Sequence, residues 1–513
     1  MSPAPRTLRC LWAAVTVAVC ASGAHAADLY NADGYDIRWD TTLRYSAGFR
    51  VESANPVLTA NPTANEGDLN FAPGLISDRL DLLSAINVSH GDFGFEASVE
   101  AWYDTVYHQR TAIGTEFAPA VRNLEGEYID LADTFVYDSF SAGDVPVTIR
   151  AGRQTLLWGE SLFFDDNSIA AAMAPVDYVR SISAPGAYSN DVYLPVDQVS
   201  VLAQLRPDLS ISAFYQFIWR GSRLPGVGSY FSTTNALGVG ADLLFVGQSH
   251  FLQHVSDQKP NEGQFGIAFH ARENDLDIGL YALRYDAKYP VLEISPNTGP
   301  PPVPGFAGQF RSSYPSGIGL YGMSFSTYVG DSNVAGELTA RTDTPLNDYG
   351  PSTTYAPRTP QTHLFDDYAL GDMLHGHISS ETTLPPASAW DSAQISAEVA
   401  ANYILSVNSN IADINLSQDR VAARIRGLFE PRYFEVLPDL DVSLPLGIGY
   451  DVIGEYSSNY MQKAGAADLE AGVSASYLSV WKANLTLTCF FGAPTHQALA
   501  DRNFVMISLE RTF

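Results

Sequence analysis

Cysteine is nearly missing. The chain has three in 513 residues, and two of them, Cys10 and Cys20, lie in the first twenty. Once those are gone only Cys489 remains, so no intramolecular disulfide can form. Positive charge is also scarce, with 29 Lys and Arg against 57 Asp and Glu. That balance argues against a nucleic-acid partner, which needs a basic face. Long apolar runs are missing as well. After the first thirty residues no stretch of about 18 apolar residues occurs, so a membrane helix is not expected. Yet 46% of the chain is hydrophobic and 12% aromatic. The apolar content is present but dispersed.

The one compact apolar run is N-terminal. Arg6 and Arg9 precede an apolar stretch from Cys10 to Ala21, and Ala24-His25-Ala26 follows with small-x-small spacing. This pattern is a secretory signal peptide over 1–26, with cleavage after Ala26. Cys20 raises a lipoprotein alternative, which the bulky Val19 before it disfavours. Removing 1–26 leaves 27 basic and 57 acidic residues, a net charge of −30 over 27–513.

The dispersed apolar residues alternate. In YDIRWDTTLRYSAGFRV (35–51), apolar or near-apolar side chains recur at every second position from Ile37. Arg38, Arg44 and Arg50 fall on the opposite face. A period of two over fifteen residues is a strand signal, far longer than the usual five or six. The same pattern returns at 93–107, with Phe93, Phe95, Val99 and Tyr103 on one face and Glu96, Ser98, Glu100 and Asp104 on the other. Strands pair around turns at 91–92, 141–144, 206–208, 273–275 and 330–332, all rich in Gly, Asn, Asp or Pro. Long segments (52–77, 108–128, 157–196, 222–262, 287–316 and 344–370) separate these hairpins. Short turns on one side and long loops on the other are the plan of a transmembrane barrel. A sheet in lipid must pair every backbone group, hence close on itself.

The expected fold is therefore an all-β transmembrane antiparallel up-and-down barrel of about 18 strands, with 16 as the alternative, over 27–513. The even count puts both ends on the short-turn side. Apolar positions face lipid, Trp39 and Tyr45 suit interfacial girdles, and the arginines face a polar lumen. A long amphipathic strand in a soluble barrel is the minor alternative.

Several stretches resemble a known family. They are IRAGRQTLLWGESLFFDDNSIAAAMAPVDYVRSISAPGAY (149–188), FAPGLISDRLDLLSAINV (71–88), ISAFYQFIWRG (211–221), LPDLDVSLPLGIGYDVIGEY (437–456) and DRNFVMISLERTF (501–513). The chain resembles, over nearly all of 27–513, the proteobacterial outer-membrane family catalogued as domain of unknown function 1302. The terminal Phe513 also resembles the signal by which Gram-negative outer-membrane barrels are read by their assembly machinery, although Arg511 departs from the usual apolar residue there. The resemblance implies an outer-membrane location in a Gram-negative bacterium, among lipid and lipopolysaccharide. It also implies an RND-type exporter and a periplasmic lipoprotein-sorting-like protein as partners, and traffic of hydrophobic small molecules (steroid-, fatty-acid- or aromatic-like). The family has no established mechanism.

Segment 157–196 is the strongest candidate site. It is too apolar to lie wholly in water. The expectation is a lumen or constriction loop, with Trp158, Phe163 and Phe164 as its apolar surface and Glu160, Asp165 and Asp166 supplying charge at the neck. The alternative of equal weight is a structural lid on the barrel wall. Ser168–Met173 could form a helical turn. Arg150, Arg153 and Arg44, with Glu96, Glu100 and Asp104, should line the lumen, the arginines of 150–153 forming a ladder with the acids. Such pairs, Arg424 and Arg426 included, more often fix barrel shape than bind substrate.

His250 and His254 have helix-face ligand spacing, and His375 and His377 share a strand face, but neither pair has a third ligand. Asp366, Asp367 and Asp372 could attract divalent ions that bridge lipopolysaccharide. No enzyme is expected: HExxH and GxSxG are missing, GESL (159–162) lacks a His partner, and GDSN (330–333) reads as a hairpin turn. The glycines of LGVGADLLFVG (237–247) make no complete phosphate loop, and nothing calls for a cofactor. The function expected is a channel or gated transporter for hydrophobic molecules. A general diffusion porin and a partner-binding barrel without transport are the alternatives.

Overall fold

The computed structural model describes residues 27–183, 192–246, 249–261, 263–297, 303–346, 368–411, 419–454 and 463–513. Residues 1–26, where a signal peptide is expected, part of segment 157–196, Asp366 and Asp367 lie outside these. The alternating stretches form long antiparallel strands: β1 (Ala27–Ala32), β2 (Tyr35–Arg50), β3 (Gly74–His90), β4 (Phe93–Asp104), β5 (Glu127–Ala142), β6 (Val145–Gln154), β7 (Val196–Arg206) and β8 (Leu209–Gln216). Two short strands, β9 (Leu243–Val246) and β10 (His250–His254), precede β11 (Gln264–Glu273) and β12 (Leu276–Tyr285). A second short pair, β13 (Val291–Pro296) and β14 (Phe306–Ser313), precedes β15 (Ile318–Val329), β16 (Ser332–Pro345), β17 (Leu370–Leu384), β18 (Ser392–Ser409) and β19 (Val421–Leu437). The last are β20 (Leu440–Ser443), β21 (Leu446–Ile453), β22 (Ala467–Tyr477), β23 (Trp481–Phe491) and β24 (Phe504–Thr512).

Each long strand pairs with its sequence neighbour, and β2 pairs with β24, Thr42 facing Thr512 and Arg50 facing Phe504. The sheet is thereby closed. β20 and β21 are two pieces of one strand, both lying between β19 and β22. β1 only extends the edge of β2. The barrel wall therefore has eighteen strands. Among the described residues no helix is long and apolar enough to span a membrane; the strands do so.

Parity sorts the two faces. On β16 to β19, Leu338, Ile378, Val399 and Ile425 are exposed, while their neighbours Glu337, His377, Glu398 and Arg426 are buried. An exposed apolar belt around buried polar residues is the inversion that a lipid solvent requires. At the closing strand, Arg511 stacks on Trp481 and Phe513, with its guanidinium carbon 4.9 and 4.4 Å from the two rings. That sandwich accommodates the arginine near the terminal aromatic.

Two long connections differ from the expectation of plain loops. β9, β10, β13 and β14, from 222–262 and 287–316, form a separate four-stranded sheet. Its apolar side packs Leu244, Leu252 and Phe310 with Val227 and Ala307. The pairing of β10 with β14 is parallel, a long-range contact that no local pattern encodes. His250 and His254 stand on β10, not on a helix. Four residues of strand span roughly 13 Å, too far for two ligands of one metal, and His254 contacts Asp257 at 2.9 Å.

Candidate functional site

The segment that leaves β6 turns into the barrel. Gly159 makes the turn possible. Its φ is +103°, and a Cβ there would lie 2.1 Å from Glu337 Oε1; only glycine fits both the torsion and the approach. The next N–H, of Glu160, donates to Glu337 at 2.5 Å, and Ile169 N–H donates to the other oxygen at 2.8 Å. Glu398 accepts the Ser161 hydroxyl at 3.1 Å and the N–H groups of Leu162, Phe163 and Phe164 at 3.2, 2.5 and 3.3 Å. His377 lies between the two carboxylates, 3.3 Å from Glu337 and 3.0 Å from Glu398. All three side chains are shut off from solvent. Removed from water, such charges persist only where each is compensated, and here the loop backbone supplies the donors.

The loop has two walls. Trp158 packs on Phe214 and Tyr281, with centroids 5.2 and 5.9 Å apart, in a cluster with Ile169, Met173 and Leu320. Its other flank meets charge: Arg424 and Arg426 stand over the rings of Phe164 and Phe163 at 4.8 and 5.9 Å, cation–π geometry. Arg424 also reaches Asp451 at 3.3 Å and Asp166 at 3.9 Å, and Arg426 binds Asp468 through both of its terminal nitrogens. Asp165 starts a single 3₁₀ turn, Asp165–Asn167, its carbonyl accepting the Ser168 hydroxyl at 2.7 Å. A short helix, Ala170–Met173, follows.

The other expected lumen residues do not join this group. Arg150 stands over Phe135 at 5.6 Å, and Arg44 lies 3.6 Å from Asp81. Of the expected ladder from Arg150 and Arg153 to the acids of β4, Arg150 acts electrostatically on Glu96, while Glu100 and Asp104 take other partners. Glu100 holds Arg223 at 3.0 Å and Arg180 at 3.4 Å, both from long connections. Asp104 caps a turn through Val106 N–H at 2.9 Å. Arg153 bridges Asp130 and Asp197 at 3.3 and 3.1 Å. Glu96 stays on the β4 wall, where it pairs across to Asn87 and Phe135 in the ladder. Asp372 stands on β17, not in a loop, and accepts Ser406 and Asn408 of β18, both at 2.9 Å, so it ties two neighbouring strands. Sequence reasoning missed Glu337 and Glu398; the available signal was a lone acid on the lumen parity of an otherwise small or apolar strand.

Above the loop, on the side of the long connections, lies a cavity with about 790 Å³ of empty space, part of it open to solvent. Tyr178, Tyr285, Tyr289, Val291, Ile318 and Met373 give it apolar and aromatic walls. Its polar lining includes Asp166, Lys288, Arg341 and His375. Arg341 donates to the carbonyls of Asp166 and Ser168 at 3.2 and 2.9 Å, which ties the cavity floor to β16. His375 Nδ1 contacts Asn167 Oδ1 at 2.9 Å. Burial lowers Lys288 to about 7 and raises Tyr289 to about 12. Among the described residues no group of three or more His, Cys, Asp or Glu is placed to hold a metal ion.

Solved structures with a similar outline are outer-membrane proteins. OccAB2 of Acinetobacter baumannii is 9% identical, with 93% of this chain and 98% of that one covered and a TM-score of 0.43. OpdK of Pseudomonas aeruginosa, crystallised with vanillate, is 9% identical over 93% and 98%, at 0.41. The A. baumannii outer-membrane channel DcaP is 10% identical over 95% and 100%, at 0.41. No curated protein matches the chain. The family described as protein of unknown function (DUF1302) matches residues 7–513, and the chain belongs to that family.

Proposed function

We propose that this barrel is an outer-membrane channel for hydrophobic small molecules, with segment 157–196 as its gate. The observation that carries the reading is the docking of that segment across the lumen, on Glu337 and Glu398. Eighteen strands enclose a space wide enough for an aqueous channel unless something fills it, and here a loop does. The attachment combines hydrogen bonds to two carboxylates with the Trp158 cluster and the Arg424 and Arg426 contacts, all of them side-chain contacts made across the lumen and none part of the wall's backbone ladder. The aromatic cavity above the loop supports an apolar cargo. Export through a cleaved leader ending at Ala26, lipopolysaccharide as neighbour, and RND-type and lipoprotein-sorting-like partners belong to the same reading.

Conductance in planar bilayers tests it. The full protein should be closed or flicker at low conductance. A variant with 160–183 replaced by a short Gly-Ser linker should conduct steadily. Equal conductance of the two would sink the gate. A second reading, partner binding without transport, is favoured by the four-stranded sheet on the long-connection side. It would gain if both proteins stayed silent and no solute crossed liposomes that contain them.

A further inference from the structure

The cavity above the loop carries a charge pattern at odds with the rest of the molecule. The chain as a whole has a net charge of −28. Yet two buried basic side chains line this one space. Among the described residues, Lys288 has no carboxylate within ion-pair distance; its ammonium donates to Gln264 Oε1 at 2.5 Å. Arg341 is likewise without a carboxylate at that distance, and it spends its terminal nitrogens on two backbone carbonyls. Its Nε, and Nε2 of His375, are buried without a hydrogen-bond acceptor or donor. The acid on the lining, Asp166, is turned toward Arg424. Asp286, which also influences Lys288, accepts Gly317 N–H at 2.9 Å. A buried basic group with no carboxylate beside it is a functional-site candidate, because an anionic ligand can complete the pair.

We propose that this cavity is a binding site for an amphipathic monoanion, an organic acid with one carboxylate and a flat apolar body. The inference rests on reading the barrel as a channel, and it names the class of cargo. The carboxylate is drawn to the side of Lys288 and Arg341. The body lies against Tyr178, Tyr289, Val291, Ile318 and Met373. Neutral molecules of the same shape gain only the apolar contacts, and cations are repelled. The acidic remainder of the chain makes the cavity the place where an anion is stabilised rather than rejected.

The test uses the full protein in lipid nanodiscs, with empty nanodiscs as the baseline for partitioning. The probes are 2-naphthoate and its neutral isostere 2-naphthamide, with binding read by equilibrium dialysis. Naphthoate should bind at least about tenfold more tightly, a difference of about 1.4 kcal/mol. Lys288→Gln should reduce that preference severalfold while leaving naphthamide unchanged. Ala287→Trp, which fills the cavity, should weaken both probes and guards against a Lys288 variant that fails to fold. Equal affinity for the two probes, or a preference untouched by both variants, overturns the inference. A protein that conducts but does not discriminate loses this site and keeps the channel. One that discriminates but never conducts keeps the site and loses the channel.

Discussion

Phe163 and Glu398 are 235 residues apart in sequence, and the N–H of the first donates to the carboxylate of the second at 2.5 Å. This bond crosses the barrel interior, and the same oxygen accepts Leu162 and Phe164. Glu398→Ala removes the acceptor of three backbone donors and one partner of His377. Breaking such a buried arrangement costs roughly 3–5 kcal/mol. The loop should detach while the wall stays closed. Conductance should rise, and the folded band on unheated gels should remain. Glu398→Gln keeps an acceptor oxygen and should give an intermediate conductance.

Trp158 anchors the same loop on its apolar side. Trp158→Ala should weaken loop docking by roughly 3–5 kcal/mol, the usual cost of deleting a large buried side chain. Trypsin cleavage after Arg180 reads this directly. The variant should be cut much faster than the parent, and equal rates would mean that the Phe214 and Tyr281 contacts are not what holds the loop.

At the mouth, Arg50 and Arg502 are both fully buried with Asp68 and Asp501. Arg502 Nε lies 2.5 Å from Asp68 and 3.4 Å from Asp501, and Arg50 lies 3.2 Å from Asp501. Arg502→Leu leaves two buried acids short of a cation. The barrel should lose roughly 3–5 kcal/mol, read as a lower midpoint of urea unfolding in vesicles. Arg502→Lys should recover part of it.

Lys288 supplies a pH dependence. Burial lowers it from 10.5 to about 7 in the fold. Between those values the unfolded chain holds the proton and the folded chain does not. This group therefore makes the fold more stable as pH rises through that window, and adds no further change below it. A bound carboxylate reverses the shift, because it favours the ammonium. Naphthoate binding at pH 8 should take up close to one proton per ligand, and almost none at pH 5.5. Titration calorimetry in two buffers of different ionisation enthalpy measures this. No uptake at pH 8 would separate Lys288 from the anion.

Cys489 tests the parity of the wall. Its neighbours Thr488 and Phe490 are buried inside, while Leu487 and Phe491 are exposed outside. Its thiol should react with a membrane-soluble maleimide and resist a charged one from either side. The reverse pattern would put β23 the wrong way round.

The wall was legible because a strand in lipid writes its two solvents into every second residue. Phe93, Phe95 and Tyr103 outside, against Glu96 and Glu100 inside, need no partner to be read. Turn residues marked the short ends, as at Gly330 and Asp331. The helical turn near Met173 was suggested by the run of small residues, while composition left a lumen loop and a lid on the wall equally open for segment 157–196. The pairings were not. Glu100 meets Arg223 rather than Arg150, and nothing near either residue encodes that choice. The four-stranded sheet was hidden for the same reason, since β10 finds β14 across fifty residues.

By itself, the sequence determined that a closed antiparallel barrel must form, which face meets lipid, and that one apolar segment cannot remain in water. These follow from local periodicity and from the obligation to pair backbone groups. Only the tertiary structure decided where that segment docks, which carboxylates receive its N–H groups, and that Lys288 and Arg341 border one cavity. Such contacts join residues far apart in the sequence. Their energies depend on desolvation, and a side chain acquires that only once the barrel has closed around it.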